Sequence, residues 1–154
     1  MLDLYEELLT VTRAFAAAKI EYAICGGMAM AIHSIPRNTV DLDLLIRRED
    51  LERSEQVAAG LGYTFRARPV MFSDGTVEIR RITKVDPESH DPLMLDLLLV
   101  TPAIEDVWSS RQAFETAEGE VISVVSREGL VKLKSFRSSG RDLDDIKLLR
   151  GETE

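Results

Sequence analysis

This 154-residue sequence is poor in cysteine and histidine, has no long apolar run, and carries less positive than negative charge. Its single cysteine, Cys25, permits no internal disulfide, which fits a cytosolic protein. With only His33 and His90 beside it, a Cys/His zinc centre lacks its ligands. No apolar run approaches the ~18–20 residues that cross a membrane. The opening Met1-Leu2-Asp3-Leu4-Tyr5-Glu6-Glu7 is acidic, unlike the basic start of a secretory signal. A cytoplasmic protein with no membrane partner is the expectation. Lys and Arg number 19 against 27 Asp and Glu, for a net charge of −8. That balance argues against nonspecific nucleic-acid binding but leaves room for a local basic groove. Repeats, low-complexity tracts and interdomain linkers are also missing. One domain over 1–154 is therefore predicted, with the C-terminal helices over 126–149 part of it.

What is present is concentrated between Cys25 and Ile46. Asp41 and Asp43 lie one residue apart on Val40–Ile46, an apolar run that reads as a β-strand. Strand side chains alternate faces, so the two carboxylates point the same way. They are stable there if solvated, protonated or neutralised by a cation. A hard divalent ion, Mg²⁺ or alternatively Mn²⁺, takes carboxylate oxygens and leaves positions for phosphate. Upstream, Gly26-Gly27 falls between a short strand, Tyr22–Cys25, and a short helix, Met28–Ile35, stopped by Pro36. Glycines there let a phosphate approach the backbone at a helix N-terminus, although a Gly-Gly alone is usually just a turn. Asp96 sits inside the apolar run Leu93–Val100 and needs a partner, either an arginine or a metal shared with Asp41 and Asp43.

The remaining elements predict an α+β fold, a mixed sheet flanked by helices. An amphipathic helix covers about 2–18, with Leu4, Leu8, Val11 and Phe15 on its core face. Another runs from Asp50 to Leu61. Strands over 63–68 and 77–82 are joined through the turn Ser73-Asp74-Gly75, and 84–92 reads as a loop. Pro102 opens a short helix, and strands follow over 114–117 and 121–125. Ser126 caps a helix carrying Leu130, Val131, Leu133 and Phe136, and a last helix covers 142–149. Lys134 and Arg137 are three apart on one helix face, suited either to a triphosphate or to pairing with Asp142, Asp144 or Asp145. Arg66, Arg68, Arg80 and Arg81 read as exposed strand charges, or as a basic strip if they share a face. His33 reads as a hydrogen-bonded core residue, and Cys25 as a small buried one.

Gly26-Gly27, thirteen residues, Asp41-Leu42-Asp43 and a later Asp96 together resemble the DNA polymerase β-like nucleotidyltransferase superfamily. Arg37-x-Thr39-x-Asp41-x-Asp43 and the ending Leu130-Val131-Lys132-Leu133-Lys134…Arg137…Asp142-Leu143-x-Asp145-Ile146 are similar to small bacterial members, including abortive-infection toxins. The resemblance covers roughly 20–46, 93–100 and 126–149. It implies a Mg²⁺-dependent transfer of a nucleoside monophosphate from an NTP to a hydroxyl of tRNA, a protein or a small molecule, with a cognate antitoxin as a further partner. Asp41, Asp43 and Asp96 would be the metal ligands and catalytic carboxylates. Gly26 and Gly27 would face phosphate. Lys134, and after it Lys132, would approach phosphate, with Asp145 or its rival Asp142 beside it. Arg37, Thr39 and Arg137 complete the implied nucleotide contacts. Gly27 departs from the pattern, since many active members carry serine there. The alternative is a nucleotide- or protein-binding module without turnover.

Overall fold

The computed structural model describes residues 3–35, 37, 39–136 and 140–151. In chain order the elements are α1 (Leu4–Ala17), β1 (Ala23–Cys25), α2 (Gly26–Ile32), β2 (Asp41–Ile46), α3 (Leu51–Gly60), β3 (Phe65–Arg66), β4 (Val70–Phe72), β5 (Val77–Val85) and β6 (Pro92–Leu99). They continue with α4 (Glu105–Ser109), β7 (Gln112–Glu115), β8 (Val121–Val124), α5 (Arg127–Ser135) and α6 (Gly140–Leu149). The strands form one mixed sheet in the order β3-β5-β6-β2-β1-β8-β7, with β4 also paired to β5. This is the expected α+β class.

Local chemistry explains most boundaries. The Asp3 side chain accepts hydrogen bonds from the Tyr5 and Glu6 amides and caps α1. The Ser126 hydroxyl does the same for Gly129 N–H and starts α5. Three expectations shift. α2 begins at Gly26 rather than Met28, because Gly26 turns the chain with φ 67° directly after the extended Cys25. It also ends early. Ser34 adopts φ 69°, and Ile35 N–H bonds back to the Met30 carbonyl, closing the helix before Pro36. The strand expected over 63–68 shrinks to Phe65–Arg66, since Pro69 interrupts pairing, and the Ser73-Asp74-Gly75 turn joins β4 to β5. The predicted loop is correspondingly shorter, because Lys84 and Val85 still pair with Leu93 and Pro92.

β2 and β6 lie parallel at the centre, and β1 runs antiparallel on the other side of β2. Leu42, Leu44, Leu95, Leu97 and Leu99 are fully buried between the sheet and its helices. α1 buries Leu8, Leu9, Val11 and Phe15, and also Glu7, which composition alone would leave in water. Glu7 is held there by the Tyr63 hydroxyl at 2.9 Å and Lys84 Nζ at 2.6 Å. Among the described residues no helix is long and apolar enough to cross a membrane.

Candidate active site

The site is built by strand register. β2 pairs with β6 so that Asp43 is directly opposite Asp96, and Asp41 opposite Met94. Asp41, Asp43 and Asp96 therefore share one face at the centre of the sheet. α5 covers that face, and Leu130, Leu133 and Lys134 form one side of a cavity of about 250 Å³. Phe72, Val77, Ile79 and Leu98 form its apolar wall, while the three aspartates, Arg81, Cys25 and Gly26 complete it.

Gly26 is required where it stands. A Cβ there would meet Asp43 Oδ2 and lie 2.7 Å from Asp43 Cγ, and φ 67° disfavours any side chain. Gly27 is tight for another reason. A Cβ there would lie 2.7 Å from Thr39 Cβ and 2.8 Å from Thr39 Oγ1. Thr39 thus fills the space a serine would take, and its hydroxyl donates to the Asp41 carbonyl at 3.2 Å. Gly27→Ser alone is expected to lose about 1–3 kcal/mol through overpacking. Combined with Thr39→Ala it should recover most of that loss, which urea unfolding of both single variants and the double variant will measure.

The carboxylates are not alone. Arg81, across from Asp96 on β5, donates from Nε at 2.8 Å and from Nη2 at 2.9 Å to the two Asp96 oxygens. Its guanidinium also lies 3.6 Å from Asp41. These carboxylates hold Arg81 firmly protonated, the Asp96 hydrogen bonds contributing most. Asp41 is partly buried, and desolvation raises its carboxyl above the usual range, with Asp96 adding to the rise and Arg81 opposing it. Asp41 Oδ1 is buried and accepts no hydrogen bond among the described residues. Burial, then the nearby aspartates, push the Cys25 thiol well up, so it is an inert packing residue.

Behind the cavity stands a second charged group. Lys134 Nζ lies 2.9 Å from Asp145 Oδ2 and 3.8 Å from Asp142. Arg37 donates to the other Asp145 oxygen at 2.6 Å. Asp145 is 1% exposed, and removing its charge takes the partner at 2.6 Å from Arg37 and leaves Lys134 with Asp142 at 3.8 Å. Asp145→Ala is expected to cost about 3–5 kcal/mol in urea unfolding. An Asp145→Asn variant, which keeps the shape and one hydrogen-bonding oxygen, should lose less.

The register thus gathers Asp41, Asp43, Asp96, Gly26 and Lys134 around one cavity, with Arg37 and Asp145 behind Lys134 and Thr39 against Gly27. Arg137 lies outside the described residues. Lys132 is elsewhere, bonded to both Asp106 oxygens at 2.8 Å. His33 is buried against Phe114 and bonds through Nε2 to the Val125 carbonyl at 2.8 Å, the core role expected of it. The four arginines form no strip. Arg80 pairs with buried Glu78, Arg66 lies 3.7 Å from Glu55, and Arg68 is exposed. Arg81 alternates to the opposite face and enters the site, a role the sequence reading missed. Period two already separated Arg80 from Arg81; the pairing of β5 with β6 alone shows which of them faces the aspartates.

No family model and no curated protein matches the chain. Solved structures do. A Thermotoga maritima protein provisionally assigned as a nucleotidyltransferase aligns over 96% of this chain and 91% of its own, with a TM-score of 0.59 and 14% identity. ANT(2'')-Ia, an antibiotic-resistance factor whose structure was solved in complex with adenylyl-2''-tobramycin, aligns over 96% of this chain and 86% of its own, with a TM-score of 0.60 and 15% identity. JHP933 of Helicobacter pylori aligns over 95% of this chain and 64% of its own, with a TM-score of 0.52 and 17% identity. At these identities the likeness is one of fold, and the fold is that of nucleotidyltransferases.

Proposed function

We propose that the chain is a divalent-metal-dependent nucleotidyltransferase, moving a nucleoside monophosphate from an NTP to an acceptor hydroxyl. The observation that carries this reading is the register placing Asp43 opposite Asp96, with Asp41 on the same face, beside the Gly26 turn and Lys134.

The donor set suits a hard cation. Its three carboxylates include an Asp41 oxygen that is buried and accepts no hydrogen bond among the described residues. Among the described residues, Asp142 and Asp145 behind Lys134 add two further carboxylates, and Arg37, Arg81 and Lys134 are the cations paired with this set. Among the described residues, however, no three such ligands converge closely enough to hold an ion, and both Asp96 oxygens accept hydrogen bonds from Arg81. Asp41, Asp43 and Asp96 would be the ligands once Asp96 is released. Bound there, Mg²⁺ or Mn²⁺ would lower the pKa of the acceptor hydroxyl and offset charge on the phosphates.

The acceptor oxygen would bond to the α-phosphorus as its bond to the β-phosphate oxygen breaks. Pyrophosphate leaves, and the hydroxyl proton passes to a carboxylate, for which Asp96 is the choice. Lys134 would bind phosphate, held in place by Asp145 and Asp142. A small-molecule hydroxyl is the favoured acceptor class, in line with the adenylylated aminoglycoside bound by ANT(2'')-Ia. RNA or protein acceptors, and a neutralising antitoxin partner, belong to the same reading on the strength of the sequence resemblance.

The occupied state of Asp96 favours one rival, a nucleotide-binding module without turnover. Incubating the protein with α-labelled and γ-labelled NTPs, Mg²⁺ and a cell extract separates the two. Transfer of the α-label by wild type but not by Asp43→Asn supports the enzyme. Transfer of the γ-label alone would make it a phosphotransferase. If wild type transfers no label beyond that variant, the enzyme reading fails.

A further inference from the structure

Arg81 differs from the other cation that lines the cavity. Lys134 is tied to Asp142 and Asp145 of α6, carboxylates that would keep it in place whatever fills the site. The partners of Arg81 are Asp96 at 2.8 and 2.9 Å and Asp41 at 3.6 Å, with Asp43 acting at longer range. These are the residues a metal would take. A divalent ion at the Asp96 oxygens would compete with the guanidinium, since the two positive charges repel when drawn to the same carboxylate. The Arg81 side chain is 41% exposed and rises from a central strand, so its long stem can swing without moving β5. Wherever it swings while lining this cavity, it carries a planar cation suited to phosphate oxygens. Arg80, one residue away, shows the contrast. It belongs to a structural cluster, sharing Glu78 with Arg48 on the opposite face.

We propose that Arg81 is an exchangeable cation and a nucleotide-binding residue. It neutralises Asp96 and Asp41 in the metal-free protein, and when a divalent ion takes those carboxylates the freed guanidinium binds the phosphates of the nucleotide. The proposal rests on the nucleotidyltransferase reading and adds to it the order of events: metal displaces arginine, and arginine then helps hold the NTP.

The test has two arms of opposite sign. Isothermal titration of EDTA-treated protein with Mn²⁺ alone is expected to show about tenfold tighter binding to Arg81→Gln than to wild type, because the internal competitor is gone. Titration with a nonhydrolysable ATP analogue at saturating Mn²⁺ is expected to show about tenfold weaker binding to the same variant. A residue with only a structural role would not move the two affinities in opposite directions. Arg81→Lys keeps the charge but loses the two-pronged contact, should shift both affinities part of the way, and serves if the glutamine variant does not fold. Unchanged or weakened Mn²⁺ binding in the variants, or unweakened analogue binding, overturns the proposal. The broader reading fails separately, if wild type binds no Mn²⁺ that Asp43→Asn loses.

Discussion

Replacing Asp43 with asparagine is expected to lower nucleotidyl transfer by at least ~10³-fold, about 4 kcal/mol of transition-state stabilisation. Asp43 sits at the centre of the site, opposite Asp96 on the neighbouring strand and against the Gly26 turn. Asparagine keeps the shape that fits against Gly26 but supplies a neutral oxygen and an N–H pair where the proposed metal would need negative charge. It also removes one of three carboxylates that repel one another, so folding should be nearly unaffected. The expected outcome is a near-silent enzyme whose urea midpoint moves by less than about 1 kcal/mol equivalent. Initial rates with α-labelled NTP, measured beside an unfolding curve, check both halves. A variant that is inactive because it is unfolded would give the opposite pairing.

Gly26→Ala should show that opposite pairing. Its methyl group would lie 2.7 Å from Asp43 Cγ and 3.0 Å from Asp43 Cβ, and the residue would have to hold φ 67°. The aspartate cannot yield cheaply, since it is short and fixed to a central strand whose backbone is paired on both sides. Left-handed strain and the clash together are expected to cost about 2–4 kcal/mol, and activity should fall as Asp43 is turned aside. Gly60→Ala is the control. It closes α3, and a Cβ there meets nothing within 4 Å. That change should be neutral or stabilise by up to about 1 kcal/mol. Equal losses at the two glycines would mean that the geometry of the Gly26 turn is unimportant.

Arg81 also bears on how such a site exists in a folded protein. Three carboxylates on one sheet face would oppose folding by mutual repulsion and desolvation. A guanidinium from the adjoining strand offsets much of that cost with no outside ion. Under the proposed exchange, the same group would set the threshold a metal has to exceed. Lys134 is handled differently, because two aspartates from α6 hold it beside the cavity at nearly full burial. One cation is therefore anchored, and the other, among the described residues, is held by carboxylates that would do the proposed chemistry.

Some of this was legible in the linear chain. The Asp-x-Asp spacing alone puts Asp41 and Asp43 on one strand face, because a strand alternates with period two. Gly26 marks a sharp turn, because only glycine takes its backbone angle without strain. The lone charge in Leu93–Val100 announces that Asp96 needs a partner, because a carboxylate does not stay ionised in an apolar strand unaided. These features are local, and local chemistry decides them. Which partner Asp96 takes is not local. The register of β6 against both β2 and β5 sets Asp43 on one side of it and Arg81 on the other, and long-range strand pairing leaves no mark in the sequence near any of the three. The same holds for Thr39 filling the space beside Gly27 and for Asp145, which holds Lys134 and also pairs with Arg37, 108 residues away in the chain. The chain by itself determined that Asp41 and Asp43 share a strand face downstream of a glycine turn. Only the tertiary structure decided that an arginine from the next strand holds one of them, because that contact is made by packing and not by sequence proximity.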